Sequence, residues 1–268
     1  MPSMKEKPKK PSLSASALRM IMRCPQQYYY RWVENIKVPP GVAQVVGVGV
    51  HKVANLNLSS KRDKGELLPE DSVRDAAADN INGLWQGGVK LDADETKEGL
   101  KKVKGQAIDL AVALSTLHHQ ELAPQIEPVH LERFFRLELQ GYPMDLTGRM
   151  DVEEKDSIRD LKTAGRSPSE ADVLADDQLT LYALGKKVME GSIPSKLYLD
   201  NLVKTKVPKV VTLETTREQK HLDRILVHME RAITVIEKGA FMANSNGWHC
   251  SKRFCGYHSI CPFFSGRE

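Results

Sequence analysis

The segment MDLTGRMDVEEKDSIRDLKTAG, residues 144–165, decides the fold of this chain. Two runs with strand character flank turn residues near Glu154, which is typical of a β-hairpin. Alternation along the second strand places Asp160 and Lys162 on one face, and the hairpin register can bring Asp151 opposite Asp160. The segment therefore predicts two carboxylates and an ammonium group at one point of a sheet.

This group of side chains suits the hydrolysis of a phosphodiester. Hard divalent ions such as Mg²⁺ bind through one or two carboxylates, and one or two such ions can activate a water and neutralise charge on the phosphate. A lysine can hold the attacking water and stabilise the negative charge that develops. The alternative is an edge hairpin with a surface ion pair worth under about 1 kcal/mol, and the short pattern alone leaves that alternative open.

The chain on either side of the hairpin alternates between helical and strand patterns. Helices are predicted at 13–32, from near Gly49, at 73–86, 94–120, 175–190 and Thr216–Lys238, and strands at 129–139, 144–154, 157–165, 196–203 and 209–214. An antiparallel meander followed by a helical crossover predicts an α/β fold with a central mixed sheet of about five strands flanked by helices.

Local signals support several of these boundaries. Ser14 or Ser16 can cap the first helix. The polar residues 60–75 are typical of a loop. Thr216 and Gln219 form a possible capping box at the start of the last helix.

Length and composition predict one globular domain after a short tail. The chain has 268 residues, of which 41% are hydrophobic and 28% charged, so it can bury a sizeable core. Residues 1–12 are rich in Pro and Lys and are predicted to be disordered. We expect 13–268 to form a single domain, with a helical part at 13–125, the sheet and its crossover helix at 126–215, and the last helix and a cysteine-rich tail at 216–268.

The same composition argues against several protein classes. No stretch approaches the roughly 18 uninterrupted apolar residues that a membrane helix needs, and no apolar run follows the N-terminal lysines as it would in a secretory signal. Four cysteines without a signal argue against a disulfide scaffold. The net charge of +4 is compatible with nucleic acid without demanding it. We therefore expect a cytoplasmic protein with no membrane contact.

Five short motifs, in order and at sensible spacing, resemble the PD-(D/E)XK nuclease superfamily, specifically its RecB-type branch with an iron–sulfur cluster. They are Leu13-Ser14-Ala15-Ser16 with Cys24-Pro25-Gln26-Gln27-Tyr28, then Gly47-Val48-Gly49-Val50-His51, Gly148-Arg149-Met150-Asp151, Asp160-Leu161-Lys162, and Gln178-Leu179-Thr180-Leu181-Tyr182. That branch includes CRISPR-adaptation exonucleases, the AddB nuclease domain and many phage relatives. The resemblance implies a restriction-endonuclease-like core in a bacterial, archaeal or phage-infected cell.

The resemblance also implies a divalent-metal site and a catalytic lysine. The implied ligands of Mg²⁺ or Mn²⁺ are His51, Asp151, Asp160 and the backbone carbonyl of Leu161. Lys162 would be the catalytic lysine, and Gln178 and Tyr182 would orient it and contact the strand being cut. Many relatives carry Glu where this chain has Asp160, and the shorter side chain can alter the metal preference. A lone histidine on a helix is more often a packed or exposed residue, so the role of His51 depends on the other motifs.

The four cysteines lie at Cys24 and in the pattern Cys250-x4-Cys255-x5-Cys261. Thiolates suit zinc or an iron–sulfur cluster rather than Mg²⁺. In the resembling family the same arrangement of one plus three cysteines holds a [4Fe–4S] cluster that joins the N-terminal segment to the C-terminal tail. The commoner spacing there is C-x2-C-x5-C, from which this chain departs, and zinc is the main alternative.

Candidate contacts to nucleic acid are one tyrosine and three basic residues. Tyr28 begins a cluster of aromatic and basic residues that could stack the bases of a single strand, and Arg149, Lys204 and Lys206 are candidates for phosphate contacts. We expect a metal-dependent DNA exonuclease that acts on single-stranded ends, in a cleft between the helical part and the sheet.

Two other functions stay open at this stage. One is a nucleic-acid-binding or assembly subunit with a vestigial nuclease site, and the other is an iron–sulfur redox or sensor protein. The sequence does not tell whether the protein forms an oligomer.

Overall fold

The computed structural model describes residues 10–266. Its strands are β1 (Ser12–Ser14), β2 (His130–Leu137), β3 (Asp145–Glu153), β4 (Ser157–Ala164), β5 (Lys196–Val203) and β6 (Lys209–Thr215). Its α-helices are α1 (Ala15–Arg23), α2 (Pro25–Tyr28), α3 (Val42–Lys64), α4 (Glu70–Gln86), α5 (Ala93–Glu98), α6 (Leu100–Leu117), α7 (Glu170–Leu174), α8 (Asp177–Glu190) and α9 (Gln219–Lys238). Single π-helical turns follow at Tyr29–Val33 and His118–Leu122.

The strands form one mixed sheet, which confirms the predicted fold class. Strands β2, β3 and β4 make an antiparallel meander, α7 and α8 cross over to β5 parallel to β4, and β6 returns antiparallel to β5. The described residues contain six strands where about five were predicted, because β1 adds to the sheet parallel to β3. The disordered tail was predicted to include Ser12, which instead begins β1, and residues 1–9 lie outside the described residues.

Strand β3 is paired differently along its two edges. Strand β2 pairs with one edge over nearly its whole length. The other edge is shared, since β1 pairs with residues 145–147 and β4 pairs with Val152 and Glu153. Within the described part of the chain, residues 148–151 have no strand partner on that edge. The sheet therefore has a gap at the end of which Asp151 lies.

Helices cover both faces of the sheet and bury two cores. Helices α1, α8 and α9 pack on one face against a core that includes Met150, Ile158 and Leu199. Helices α3, α4 and α6 pack on the other face against a core that includes Val152 and Leu161. The side chains of β4 alternate between these cores, so Asp160 lies on the α8 side and Leu161 on the α3 side.

Helix α3 is longer than the sequence indicated. It begins at Val42 rather than near Gly49, and it runs to Lys64, so the loop predicted at 60–75 shrinks to 65–69. Two glycines that are typical of a loop serve close packing within this helix. A Cβ at Gly49 would come within 2.7 Å of Ile81 of α4, and one at Gly47 within 3.2 Å of Thr163 of β4.

Helix boundaries near the termini were predicted in part. Ser14 caps α1 as expected, since its hydroxyl accepts from the Ala17 N–H at 3.1 Å. Helix α9 begins at Gln219 instead of Thr216, and its capping box joins Glu218 to His221. Arg217 explains this difference, because its buried guanidinium donates to main-chain carbonyls at the end of α7 and just before α8 and so holds this turn outside the helix. No helix among residues 10–266 is both long and apolar enough to cross a membrane.

Candidate active site

The gap in the sheet is lined by the first predicted acid. Asp151 Oδ2 accepts a hydrogen bond from the Leu161 N–H at 3.0 Å. The main-chain ladder between β3 and β4 stops one pair earlier, at Val152 and Arg159, so Asp151 does not form the predicted strand pair with Asp160. Its carboxylate instead takes the place of a main-chain acceptor and holds the two strands together where the ladder ends.

Strand β3 changes faces at Asp151. Met150 packs in the core beside α8, whereas Val152 packs in the core beside α3, although residues two apart on a regular strand share a face. The register places Glu132 of β2 opposite this point, and Glu132 has a left-handed backbone with φ of 49°. Such a conformation is unusual for a residue other than glycine. The distortion directs the Asp151 carboxylate toward α3.

Helix α3 supplies the predicted histidine. His51 Nδ1 lies 3.5 Å from Asp151 Oδ2, and the imidazole also hydrogen-bonds to the backbone of Leu161. Burial, and next the positive charge of Lys162, lower the pKa of His51 to about 4. The imidazole is therefore neutral near pH 7, which is the form that can bind a metal ion.

The second predicted acid is fully buried beside the lysine. Asp160 has no exposed surface, its Oδ2 lies 2.6 Å from Lys162 Nζ, and its Oδ1 has no hydrogen-bond partner. Burial raises the pKa of Asp160. Burial, and next the charge of Asp160, raise the pKa of Asp151 to about 8. The buried Asp160 and the partly exposed Asp151 thus lie near one ammonium group, and the site favours a further positive charge.

Helix α8 positions the lysine through a chain of hydrogen bonds. Lys162 Nζ donates to Gln178 Oε1 at 3.2 Å, and Gln178 Nε2 donates to the Tyr182 hydroxyl. Gln178 and Tyr182 share a face of α8 because they are four residues apart. Tyr182 is only 2% exposed, so it can orient Gln178 but offers little surface to a strand in the cleft.

An open cleft of about 750 Å³ lies between α3 and the sheet. His51, Asp151 and Lys162 line its floor, and Arg149 and Glu132 line the same cleft. Arg149 Nη1 lies 3.6 Å from Glu132 Oε2. Sequence reasoning missed Glu132, since a left-handed residue inside a strand has no signal in the local pattern.

The donor groups at the gap suit a hard divalent cation in kind. Asp151, His51 and the backbone of Leu161 meet, and the unpartnered oxygen of Asp160 is a fourth donor on the neighbouring strand. Among residues 10–266, however, no three side chains of His, Cys, Asp or Glu already surround one ion position. The ion pair with Lys162 holds Asp160 away from such a position, so a bound ion would have to draw its carboxylate across.

The four cysteines come together at the other end of α1. All of them line one narrow cavity, and none forms a disulfide. Cys24 Sγ accepts from the Asn244 N–H at 3.4 Å, and Cys255 Sγ accepts from Gln27 Nε2 at 3.3 Å. These sulfur atoms therefore face a common space and already receive the N–H donors that stabilise negative charge on sulfur.

The predicted contacts to nucleic acid separate into two groups. Tyr28 is buried and its ring stacks on Phe241 with centroids 6.2 Å apart, so it packs in the core and offers no surface to a base. The basic residues remain accessible. Arg149 lines the cleft, Lys206 is exposed, and Lys204 is half-buried at the end of β5, where its N–H donates to the Ala164 carbonyl of β4.

Comparison with known proteins gave one family and a distant structural match. The family model described as the PD-(D/E)XK nuclease superfamily matches residues 12–262. The crystal structure of a candidate exonuclease from Eubacterium rectale is similar with a TM-score of 0.57 and 16% identity, over 85% of this chain and 82% of that chain. The protein SSO0001 is 13% identical over 93% of this chain and 96% of that chain, at a TM-score of 0.38. No curated protein matches the chain.

Proposed function

Because this chain belongs to the PD-(D/E)XK nuclease superfamily, we propose that it is a divalent-metal-dependent deoxyribonuclease that digests DNA from single-stranded ends. One observation carries the proposal: His51, Asp151 and Lys162 line one open cleft at the gap in the sheet, and Asp160 lies directly behind it in an ion pair with Lys162. They come from three elements spread over more than a hundred positions of the chain. A surface ion pair would not require this convergence.

The proposed site would hold Mg²⁺ or Mn²⁺ through Asp151, Asp160, His51 and the Leu161 carbonyl. Such an ion polarises the phosphate and lowers the pKa of the attacking water. Lys162 donates hydrogen bonds from the Asp160 side of the gap, where it can hold that water or an oxygen of the phosphate. Gln178 fixes the direction of the ammonium group. The water oxygen bonds to phosphorus as one phosphodiester P–O bond breaks.

The shape of the cleft supports a single strand rather than a duplex. Asp151 lies in the cleft beside α3, where the flexible backbone of a single strand can bend to reach it. Arg149 at the wall is free to turn from Glu132 to a phosphate, which makes binding dependent on salt.

We also propose that the chain belongs to the RecB-type branch and carries a structural [4Fe–4S] cluster on Cys24, Cys250, Cys255 and Cys261. The four thiols line one cavity, yet no three of them already gather around one ion. The arrangement of one cysteine plus three, which the resemblance to the RecB-type branch associates with a cluster, favours a cluster over a single zinc ion. Free cysteines favour a reducing compartment such as the cytoplasm.

The experiment is a digestion assay with protein purified anaerobically. End-labelled single-stranded and double-stranded DNA, and a single-stranded RNA of the same sequence, are incubated with Mg²⁺, with Mn²⁺ and with EDTA. We expect metal-dependent release of short products from single-stranded DNA that the Lys162→Ala variant does not give. Binding without cleavage under every condition would support the vestigial subunit instead.

A further inference from the structure

The exposed aromatic side chains of this protein include a pair beside the cysteine cavity. Trp248 is 66% exposed and Phe254 is 55% exposed. Their rings meet edge to face with centroids 5.1 Å apart, and the Arg253 guanidinium lies 5.5 Å from the Phe254 centroid. Large apolar side chains exposed as a group mark an interaction surface.

The charge of this tail matches a polyanion. No Asp or Glu occurs from residue 239 to residue 266, whereas Lys252 and Arg253 lie between the two aromatic residues. Aromatic faces combined with basic side chains are what proteins use to bind single-stranded nucleic acid, because every base can stack. The flat aromatic faces favour nucleic-acid bases over an acidic protein surface, which would use the basic side chains alone.

Two arginines of helix α1 lie between this pair and the catalytic gap. Arg19 of α1 binds Asp176 at the N-terminus of α8 at 3.3 Å and acts electrostatically on Asp160. Arg23 follows one helical turn later and acts on His249, whose ring contacts Trp248 at 5.9 Å between centroids. Arg19 is about half-exposed, so a strand that leaves the gap along α1 meets positive charge before it reaches the aromatic pair.

We propose that Trp248, Phe254 and Arg253 form a stacking platform for the single-stranded part of the substrate, several nucleotides away from the scissile bond. The proposal rests on the proposed function in that the strand is taken to pass through the catalytic gap. It assigns to the cysteine-rich tail a second task, which is to hold the strand as well as to stabilise the fold. The residue predicted from the sequence to stack bases, Tyr28, is instead buried.

The test measures binding separately from cleavage. The full-length Lys162→Ala protein, purified anaerobically, is titrated in EDTA against fluorescein-labelled oligothymidylates of about 5 and about 20 nucleotides, lengths that bracket the footprints of single-strand binders. Fluorescence anisotropy gives the affinity for each length. We expect the longer strand to bind much more tightly, because only it spans the gap and the platform.

Substitutions then separate stacking from general packing. Trp248→Leu and Phe254→Leu should each weaken binding of the longer strand at least about fivefold, the lower end for loss of one stacked base. Trp248→Phe keeps an aromatic face and should restore most of the affinity. The control is Met242→Ala, which removes exposed apolar surface from the same tail without removing a ring.

Each other outcome overturns the proposal. Unchanged affinity of Trp248→Leu for the longer strand would show that no base stacks there. A changed elution volume of that variant in gel filtration, at unchanged affinity, would identify the patch as an interface between copies of the chain. Equal losses in Trp248→Leu and Trp248→Phe would indicate a structural role alone.

If the wild-type protein never cleaves DNA, the proposed function fails, but the length dependence and its loss in Trp248→Leu remain measurable.

Discussion

The main-chain N–H of Leu161 donates to the Asp151 carboxylate at 3.0 Å, at the point where β3 and β4 stop exchanging main-chain hydrogen bonds. Beyond this point the Asp151 carboxylate, and not a main-chain carbonyl, accepts the next hydrogen bond between the two strands. Asp160 lies buried on the neighbouring strand, where Lys162 forms its ion pair. Burying a charge without full compensation is costly, so a cation bound beside these two acids would stabilise the site.

Asp151→Asn tests this requirement for a cation. The amide oxygen can still accept from Leu161, so the strands stay joined, but the charge that attracts the metal is gone. We expect nuclease activity to fall at least about 100-fold. In the wild type, Mn²⁺ at about 100 times its dissociation constant should raise the melting temperature by roughly 5–10 °C. The variant should show little of this rise.

The matched control for that experiment is Asp156→Asn, since Asp156 is an exposed acid in the turn between β3 and β4. It should keep both the activity and the Mn²⁺ effect. An equal rise in melting temperature in Asp151→Asn and the wild type would place the metal elsewhere and contradict the assignment.

Lys162→Met separates the catalytic role of the lysine from substrate binding. The methionine keeps much of the side-chain volume but removes the charge that faces Asp160. We expect loss of cleavage by at least about 100-fold with affinity for single-stranded DNA unchanged. Without metal the variant should also be less stable, because a buried carboxylate loses its partner at a cost of about 3–5 kcal/mol.

Added Mn²⁺ should recover part of that stability, which chemical denaturation with and without the ion can measure. Lys206→Met serves as the control, since Lys206 is exposed on the turn after β5. It should affect binding slightly and cleavage at saturating DNA not at all. Cleavage by Lys162→Met at the wild-type rate would remove the lysine from the mechanism.

Tyr182→Phe tests whether the tyrosine positions Lys162 through Gln178 or contacts the DNA strand. Its hydroxyl is buried and accepts from Gln178, so its loss frees Gln178 to turn and loosens the hold on Lys162. We expect kcat to fall by roughly tenfold, about the worth of one hydrogen bond, with KM for DNA unchanged. Steady-state kinetics on a labelled oligonucleotide give both constants. A raised KM at constant kcat would instead mean that Tyr182 contacts the strand.

Sequence reasoning predicted much of the fold because the hairpin and the crossover depend on local patterns. The strand alternation, the crossover helix and the capping serine at Ser14 are all visible in short windows. Strand β1 was missed because three residues at Ser12–Ser14 gain their structure only from pairing with β3, more than a hundred positions away. The predicted helix α3 began too late in the chain because Gly49 is typical of a loop. The close packing of Gly49 against Ile81 is visible only in the structure.

The candidate site shows the same division. The types and order of its residues are visible in the sequence, but the face change of β3 at Asp151 and the left-handed Glu132 opposite it are not. Tyr28 was a candidate for stacking because it begins a cluster of aromatic and basic residues, but neighbours on a helix point in different directions and this ring packs in the core.

Glu190→Gln tests the ion pairs that Glu190 forms with Arg133 and Lys186. The measurement is the pH dependence of the free energy of unfolding. Hydrogen bonds from Lys186 and Arg133 lower the pKa of Glu190 to about 2 from its usual value near 4.5. An acid whose pKa is lowered in the folded protein stabilises the fold at any pH above its usual pKa. This contribution is lost as the pH falls from about 4.5 toward 2. We expect the wild type to be more stable than Glu190→Gln at pH 7, and the difference to shrink through that window.

Denaturant unfolding at a series of pH values measures this difference. Glu237→Gln is the control, because Glu237 is an exposed acid on α9 and its substitution should give a small difference at every pH. A difference between wild type and Glu190→Gln that stays constant from pH 7 to pH 3 would mean that the network does not hold Glu190 ionised.

Cys255→Ser tests the proposed cluster and its structural task. Cys24 and Cys250 are 226 positions apart, and a link across so long a loop restrains the unfolded chain strongly, by about 5 kcal/mol in the loop-entropy model. We expect the wild type to be brown and to contain iron and sulfide in equal amounts, and Cys255→Ser to lose colour, iron and much of its thermal stability. Ser259→Ala, an exposed change in the same tail, should alter none of these.

Because the cavity and the catalytic gap lie at opposite ends of α1, residual folded Cys255→Ser protein should still bind Mn²⁺ at Asp151. Zinc in place of iron in the anaerobically purified protein would support the single-ion alternative.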